Sequence, residues 1–261
     1  MEVVITPTPR HAAELAADAV CRLLEDDPRS VLGLATGSSP LALYRALIDR
    51  HRAGQVSFGR ARAFTLDEYV GLPRGHAESY REVIRRELED HVDFPAGAVT
   101  GPDGHAEDLA RAGRDYEEAI VSAGGVDLQV LGLGGNGHIA FNEPGSSLNS
   151  LTRVKALTRR TRSDNARFFG GNAEEVPSLC LTQGLGTIRR ARHLVLIATG
   201  EAKAPAVAAM VEGPVSASCP ASVLQLHPHV TVLLDGPAAS DLQHRDDYAA
   251  AWAVKPAGQG L

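Results

Sequence analysis

The sequence predicts a doubly wound α/β fold, a mostly parallel sheet with helices on both faces. Short runs rich in Val, Ile and Leu recur along the chain, and stretches of three- and four-residue apolar period separate them. The runs are apolar throughout rather than alternating, which marks strands buried on both faces, as in parallel sheets. Composition agrees. Of 261 residues, 44% are hydrophobic and 22% charged, ordinary values that disfavour disordered, collagen-like and coiled-coil readings.

Six runs read as strands: 3–5, 31–35, 62–66, 128–133, 194–198 and 230–234. Between the first two, Ala12, Ala13, Leu15, Ala16, Ala19, Val20, Leu23 and Leu24 return at the steps of one helix face, and Asp26, Asp27 and Pro28 end it. Pro40 suits a first helical turn, where its missing N–H costs nothing, and Leu41, Tyr44, Ala46 and Leu47 continue that helix. Further helices are expected over 78–88, 107–123 and 203–211 and near 238–242. No repeat, linker or composition break divides the chain, so 1–261 reads as one domain. The segment 146–181 is long, polar and without a strand signal. It is expected to form a lid or helical excursion over the site.

A net charge of −6 argues against nucleic acid, whose phosphates need clustered positive charge. No window approaches the ~20 apolar residues that span a bilayer, and the N-terminus lacks a basic segment before an apolar run. Cys21, Cys180 and Cys219 are odd in number, far apart and outside any Cys-x-x-Cys pair, so neither a disulfide framework nor a zinc site is expected. A reducing cytoplasm is the expected location.

Open α/β sheets bind ligands at the carboxyl ends of their strands, and three such ends are unusual. Thr36-Gly37-Ser38-Ser39 follows strand 31–35 and opens a helix, so its free N–H groups and hydroxyls suit a phosphate, although Ser and Thr there also serve as plain helix caps. No Gly-Lys-Ser/Thr follows, so this is not a Walker A loop. Asp67-Glu68-Tyr69 follows strand 62–66. Neighbouring strand residues face opposite ways, so at most one of these carboxylates should face the crevice; both could also be solvated cap acids.

After strand 128–133 comes Gly134-Gly135-Asn136-Gly137-His138-Ile139-Ala140-Phe141-Asn142-Glu143-Pro144-Gly145. A histidine with an ordinary pKa of about 6.5 suits proton shuttling near neutrality. Glu143 and Asn136 are close enough in sequence to hold it in one tautomer. The Gly-x-Gly opening leads into no helix, so it fails as a dinucleotide fingerprint. Glu143 is the only evident co-ligand for a metal here, and no metal is expected. Arg153, Lys155, Arg159, Arg160, Arg162 and Arg167 crowd one segment, and Lys203 opens a later helix. Most should form a solvated face, with one or two reaching ligand, Arg as a bidentate grip and Lys as a point charge. His51, His76, His91, His105, His193, His227 and His229 read as surface or core residues.

With these residues in view, the chain resembles the glucosamine-6-phosphate deaminase family, also called glucosamine-6-phosphate isomerases. The likeness runs in order through Leu34-Ala35-Thr36-Gly37-Ser38-Ser39-Pro40-Leu41, Phe64-Thr65-Leu66-Asp67-Glu68-Tyr69-Val70-Gly71-Leu72, Glu78-Ser79-Tyr80, the stretch from Leu131 to Ser147, Thr161-Arg162, Asn165-Ala166-Arg167-Phe168-Phe169 and Val211-Glu212-Gly213. It implies a doubly wound sheet with a mobile lid. It implies conversion of glucosamine 6-phosphate to fructose 6-phosphate and ammonia, in amino-sugar catabolism, without metal or cofactor.

By the same resemblance, Thr36, Gly37, Ser38, Ser39, Arg167 and Lys203 hold the phosphate. His138, supported by Glu143 and Asn136, opens the pyranose ring, and Asp67 moves the proton from C2 to C1. Many relatives carry Asp at 136; Asn brings no charge, so an imidazolium at His138 would lean more on Glu143. Pro205 is uncommon in its helix but fits a first turn. Ser146, Arg153 and Lys155 align with an effector pocket for N-acetylglucosamine 6-phosphate known in some members, beside a short tail 256–261. A homo-oligomer is compatible with the resemblance.

Two alternatives are weighed. A 6-phosphogluconolactonase has a similar fold and a related Gly-x-Gly-x-Asp-Gly-His motif, but resembles Ser-Leu-Phe-Pro after it, where this chain reads Phe141-Asn142-Glu143-Pro144. A sugar-phosphate sensor of a transcriptional regulator would need a helix-turn-helix module, for which a strand starting at residue 3 is expected to leave no room.

Overall fold

The computed structural model describes residues 1–255; the tail 256–261 lies outside them. In chain order the elements are β1 (Glu2–Thr6), α1 (Pro9–Asp26), β2 (Val31–Leu34), α2 (Leu41–Arg52), β3 (Arg62–Thr65), β4 (Asp67–Tyr69), α3 (Tyr80–Glu87), β5 (Val99–Thr100), α4 (Leu109–Ser122), β6 (Leu128–Gly132), β7 (Arg153–Ala156), α5 (Arg159–Asn165), β8 (Leu179–Thr182), α6 (Leu185–Ile188), β9 (His193–Ala198), α7 (Ala204–Val211), β10 (Val230–Asp235) and α8 (Arg245–Ala253).

Seven strands form one sheet in the order β1-β10-β9-β6-β2-β3-β5, every pairing parallel. All six expected strands are in it, and β5 adds a short edge. The chain walks from β2 to β3 in one direction and from β6 to β9 in the other. Parallel crossovers are right-handed, so α1 and α2 fall on one face and α4 and α7 on the other. The reversal lies between β2 and β6, which pair through Leu32 with Leu128 and Gly33 with Gln129. A crevice opens at such a switch point because the flanking connections leave in opposite directions.

Burial explains the unbroken apolar runs: every residue of β2, β9 and β10 is buried. Each Leu, Ile or Val removed from water there contributes roughly 1.5–3 kcal/mol before the entropy of ordering is charged against it. Pro9 sits in the first turn of α1, where the Thr8 side chain accepts from His11 N–H, and Asp27 caps its end. Pro40 immediately precedes α2, and its carbonyl accepts the first helical bond, from Tyr44. Pro205 lies in the first turn of α7.

Two expectations fail. The segment 146–181 is not strand-free: β7 and the start of β8 lie in it, and with β4 they form a separate three-stranded antiparallel sheet. The sequence Arg153-Val154-Lys155-Ala156 conceals β7 because its residues are only partly covered, so it lacks the apolar character of a strand buried on both faces. Residues 238–242 contain no helix, with 238–241 in turns, and the C-terminal helix α8 begins only at Arg245. An apolar run near Ala238 and Ala239 marked burial under the sheet rather than a helix. A second hydrophobic cluster, including Tyr69, Phe141, Phe169 and Cys180, lies around the small sheet.

Among the described residues no helix is long and apolar enough to cross a membrane.

Candidate active site

A cleft with a free volume of about 200 Å³ opens at the carboxyl ends of β2, β3 and β6, and Thr36, Ser39, Asp67, His138, Arg167 and Lys203 all line it. These residues come from five separate stretches of chain. The switch point brings the ends of β2 and β6 together, and the small sheet folds α5 across them.

The turn Thr36-Gly37-Ser38-Ser39 leaves β2 with Gly37 at φ 96°, a left-handed conformation that glycine adopts without a Cβ penalty. It delivers N–H groups and hydroxyls to the start of α2. Opposite it, Lys203 donates from Nζ to the Leu133 carbonyl at 2.7 Å. Burial, then the nearby Arg167, lowers the Lys203 pKa from its ordinary value. Arg167 lies with its guanidinium 4.7 Å from the centre of the Phe168 ring. This end of the cleft concentrates positive charge on a turn that can donate to an anion.

Asp67 and Glu68 part company, as strand alternation requires. Asp67 lines the cleft with only 5% of its surface exposed. Burial, and next the neighbouring Glu68, raises its pKa well above the usual carboxylate range. Glu68 points away and caps α3: Oε1 accepts from Tyr69 and Tyr80 N–H at 2.8 and 2.9 Å, and Oε2 from Arg81 N–H at 2.9 Å. One of the two is therefore a cap, though a buried rather than a solvated one, and the other is free to act on a ligand.

His138 stands on the loop after β6. Its Nδ1 is buried and faces Glu143 Oε2 at 3.6 Å. Glu143 is 3% exposed. Its Oε1 accepts from the Thr158 hydroxyl at 3.2 Å and from the Thr161 hydroxyl, while Oε2 accepts from the Asn136 amide at 2.8 Å. Burial alone would raise the Glu143 carboxyl, but His138, Thr161 and Asn136 together hold it down at about 2. Asn136 also accepts the His138 backbone N–H at 3.2 Å, so it ties the loop that carries the histidine to the carboxylate that orients it. At this spacing an Asp at 136 would set two carboxylates against each other and force them to share a proton; Asn leaves Glu143 charged.

The glycines here have a steric purpose. A Cβ on Gly134 would lie 2.3 Å from His138 Cε1 and Nε2, so the ring occupies the space of the missing side chain. Gly134→Ala should push the imidazole aside and lower kcat about 10²-fold, the scale of a displacement near 1 Å, while the far-ultraviolet dichroism stays that of the parent. Steady-state assay beside a melting curve checks this. Ala140, which also lines the cleft, is the single non-glycine among the described residues with positive φ, at 49°, a conformation that costs of order 1–3 kcal/mol and concentrates at working sites.

Thr158 and Thr161 carried no sequence signal of a role. Thr158 caps α5, and only folding shows that both hydroxyls turn to Glu143. Tyr69 and Tyr80 were likewise missed: Asn165 donates to the Tyr69 hydroxyl at 2.8 Å and Tyr80 at 3.3 Å, which joins α5 and α3 beside Asp67. Of the basic segment, Arg167 reaches the cleft, whereas Arg162 donates to the Val176 and Ala173 carbonyls and serves the loop. Ser146, Arg153 and Lys155 do not line the cleft. Ser146 Oγ is buried without a partner, and Arg153 Nη1 donates to Asn142 Oδ1 at 2.7 Å. Among the described residues no cluster of three or more His, Cys, Asp or Glu is arranged to hold a metal.

Fold and site together define a doubly wound α/β protein whose switch-point crevice joins an anion-accepting turn to a histidine–carboxylate pair and a second buried carboxylate. Residues 8–233 match the model of the glucosamine-6-phosphate isomerases/6-phosphogluconolactonase family. Glucosamine-6-phosphate deaminases of Mycolicibacterium smegmatis and Beutenbergia cavernae are 62% and 61% identical over 261 residues, the full length of both chains in each case. The structure of a monomeric glucosamine-6-phosphate deaminase, 40% identical, superposes with a TM-score of 0.90 over 92% of this chain and 100% of the other. A 6-phosphogluconolactonase from Trypanosoma brucei, at 21% identity and TM-score 0.75 over 92% of this chain and 98% of its own, shares the fold. The chain belongs to the glucosamine-6-phosphate isomerase/6-phosphogluconolactonase family, among its glucosamine-6-phosphate deaminases.

Proposed function

We propose that the chain converts glucosamine 6-phosphate and water to fructose 6-phosphate and ammonia. The observation that carries this reading is the meeting of Asp67, His138 and the cationic end formed by Thr36–Ser39, Arg167 and Lys203 on one cleft. Phosphate held at that end supplies remote binding energy that sets the sugar ring against the other two groups. His138, oriented by Glu143, moves a proton from the C1 hydroxyl to the ring oxygen and opens the pyranose. Asp67 then takes the C2 proton, made acidic by the adjacent aldehyde, and returns it to C1, while a proton passes from the C2 nitrogen to the C1 oxygen, leaving a hydroxymethyl at C1 and an imine at C2. Water adds to the resulting imine at C2, and ammonia leaves.

Every step is a proton transfer or a hydration and is balanced by the side chains and water. A charged Glu143 keeps the imidazole in the orientation that shuttles the proton, and a carboxylate with a raised pKa is a stronger base than an exposed one. The segment 146–181 crosses the cleft through Thr161 and Arg167, and we assign it a lid role in the single domain. A lactonase reading is disfavoured because ester hydrolysis needs no base at a C–H bond, whereas Asp67 is a buried carboxylate turned into the cleft.

The deciding experiment is ammonia release from glucosamine 6-phosphate by purified protein without added metal, with and without N-acetylglucosamine 6-phosphate. Release coupled to fructose 6-phosphate is the expected result. Stimulation by the acetylated sugar would assign Ser146, Arg153 and Lys155 an effector role, and an absence of turnover would overturn the functional reading.

A further inference from the structure

Arg160 lies outside the residues so far given a role. It sits in the first turn of α5, exposed, with no ion pair or hydrogen bond among the described residues. Asp164 lies one helical turn on, the ordinary partner for an arginine at that spacing, yet the two form no ion pair. The Arg160 guanidinium reaches instead over the glycine turn after β6: a Cβ on Gly135 would lie 3.2 Å from its Nη2. Gly135 lines the cleft beside Lys203 and Arg167, and Arg160 is near enough to add to the electrostatic depression of the Lys203 pKa, after burial and Arg167.

We propose that Arg160 is a third cationic contact for the phosphate of the sugar, closing over the rim of the anion end from α5. The position explains an otherwise unfavourable arrangement. Arg167 and Arg160 both act against the charge of Lys203 while Asp164 favours it, and an entering phosphate of charge near −2 relieves the repulsion among the three cations. Because Gly135 has no side chain, the arginine fork approaches the turn closely. Because Arg160 is exposed before binding, it can also draw the anion toward the cleft, an effect that salt weakens.

The inference rests on the sugar-phosphate reading above, so its test includes a probe that needs no turnover. Calorimetric binding of inorganic phosphate and steady-state ammonia release would be measured for the parent, Arg160→Gln and Arg160→Lys. Arg160→Gln should weaken phosphate binding and raise KM, each by about 3- to 10-fold, the range between an exposed ion pair and a hydrogen bond to a charged group. kcat should change far less, and the salt dependence of kcat/KM should flatten. Arg160→Lys should recover part of both losses, because it restores the charge without the fork. An exposed side chain with no bonds should leave the melting temperature unchanged. Parent-like phosphate affinity in Arg160→Gln, or a fall in kcat at constant KM, would overturn the proposal. If phosphate binding depends on Arg160 while the parent releases no ammonia, the contact stands and the proposed reaction falls.

Discussion

Asp67→Asn is expected to bind glucosamine 6-phosphate nearly as well as the parent and to turn it over about 10⁴-fold more slowly, the upper range for loss of a positioned general base. Exchange of the C2 hydrogen with deuterium in the solvent should disappear, because no other carboxylate faces the cleft from β4: Glu68 is committed to the N-terminus of α3. Exchange at the parental rate in this variant would remove Asp67 from its assigned role.

The buried position predicts a pH signature as well. Proton abstraction needs ionised Asp67, and burial raises its pKa, so activity should fall with decreasing pH well above the ordinary carboxylate value of about 3.9. Stability runs the opposite way. A carboxyl whose folded pKa exceeds its unfolded one costs stability once ionised; the cost is absent below the unfolded pKa and complete above the folded one. Asp67→Asn should therefore melt higher than the parent at neutral pH, with the gap closing as pH falls below about 4. Slower chemistry with a higher Tm is the pattern of a group retained for function against the preference of the fold.

The second large effect is at His138. His138→Gln should lower kcat on the closed-ring sugar by about 10²- to 10⁴-fold, yet affect an open-chain amino-aldose phosphate much less, since the proposed work of the imidazole is complete once the ring has opened. The comparison of the two substrates is the measurement. Equal losses on both would place His138 in the proton transfer at C2 instead. Glu143→Gln should reproduce part of the ring-opening defect, because it removes the negative charge opposite Nδ1 while leaving oxygen to accept from Thr161 and Thr158.

The six main strands and the helices that alternate with them were legible in the residues, because burial on both faces demands continuous apolar runs and the helix period is a local property. The residues around His138 were legible for a related reason: glycines, an amide and a carboxylate at fixed spacing lie on one loop, and their likeness to a known family extends through most of the chain. The strand β7 was not legible, since a partly covered antiparallel strand carries no such run.

What only the tertiary structure decided is which groups meet. Strand alternation alone left Asp67 and Glu68 as equals and only the family resemblance singled out Asp67; the pairing of β4 with β8 turned Asp67 into the cleft and Glu68 onto α3. It showed six cations in one segment, and the path of α5 over the glycine turn brought Arg167 to the cleft and Arg160 to its rim while sending Arg162 to a carbonyl cluster. Thr158 and Thr161 acquired meaning only where they close on Glu143, fifteen and eighteen positions earlier in the chain. Local periodicity is written in neighbouring residues and can be read from them. A site assembled from the ends of several strands depends on contacts between residues far apart in sequence, and those exist only once the sheet has brought the ends together.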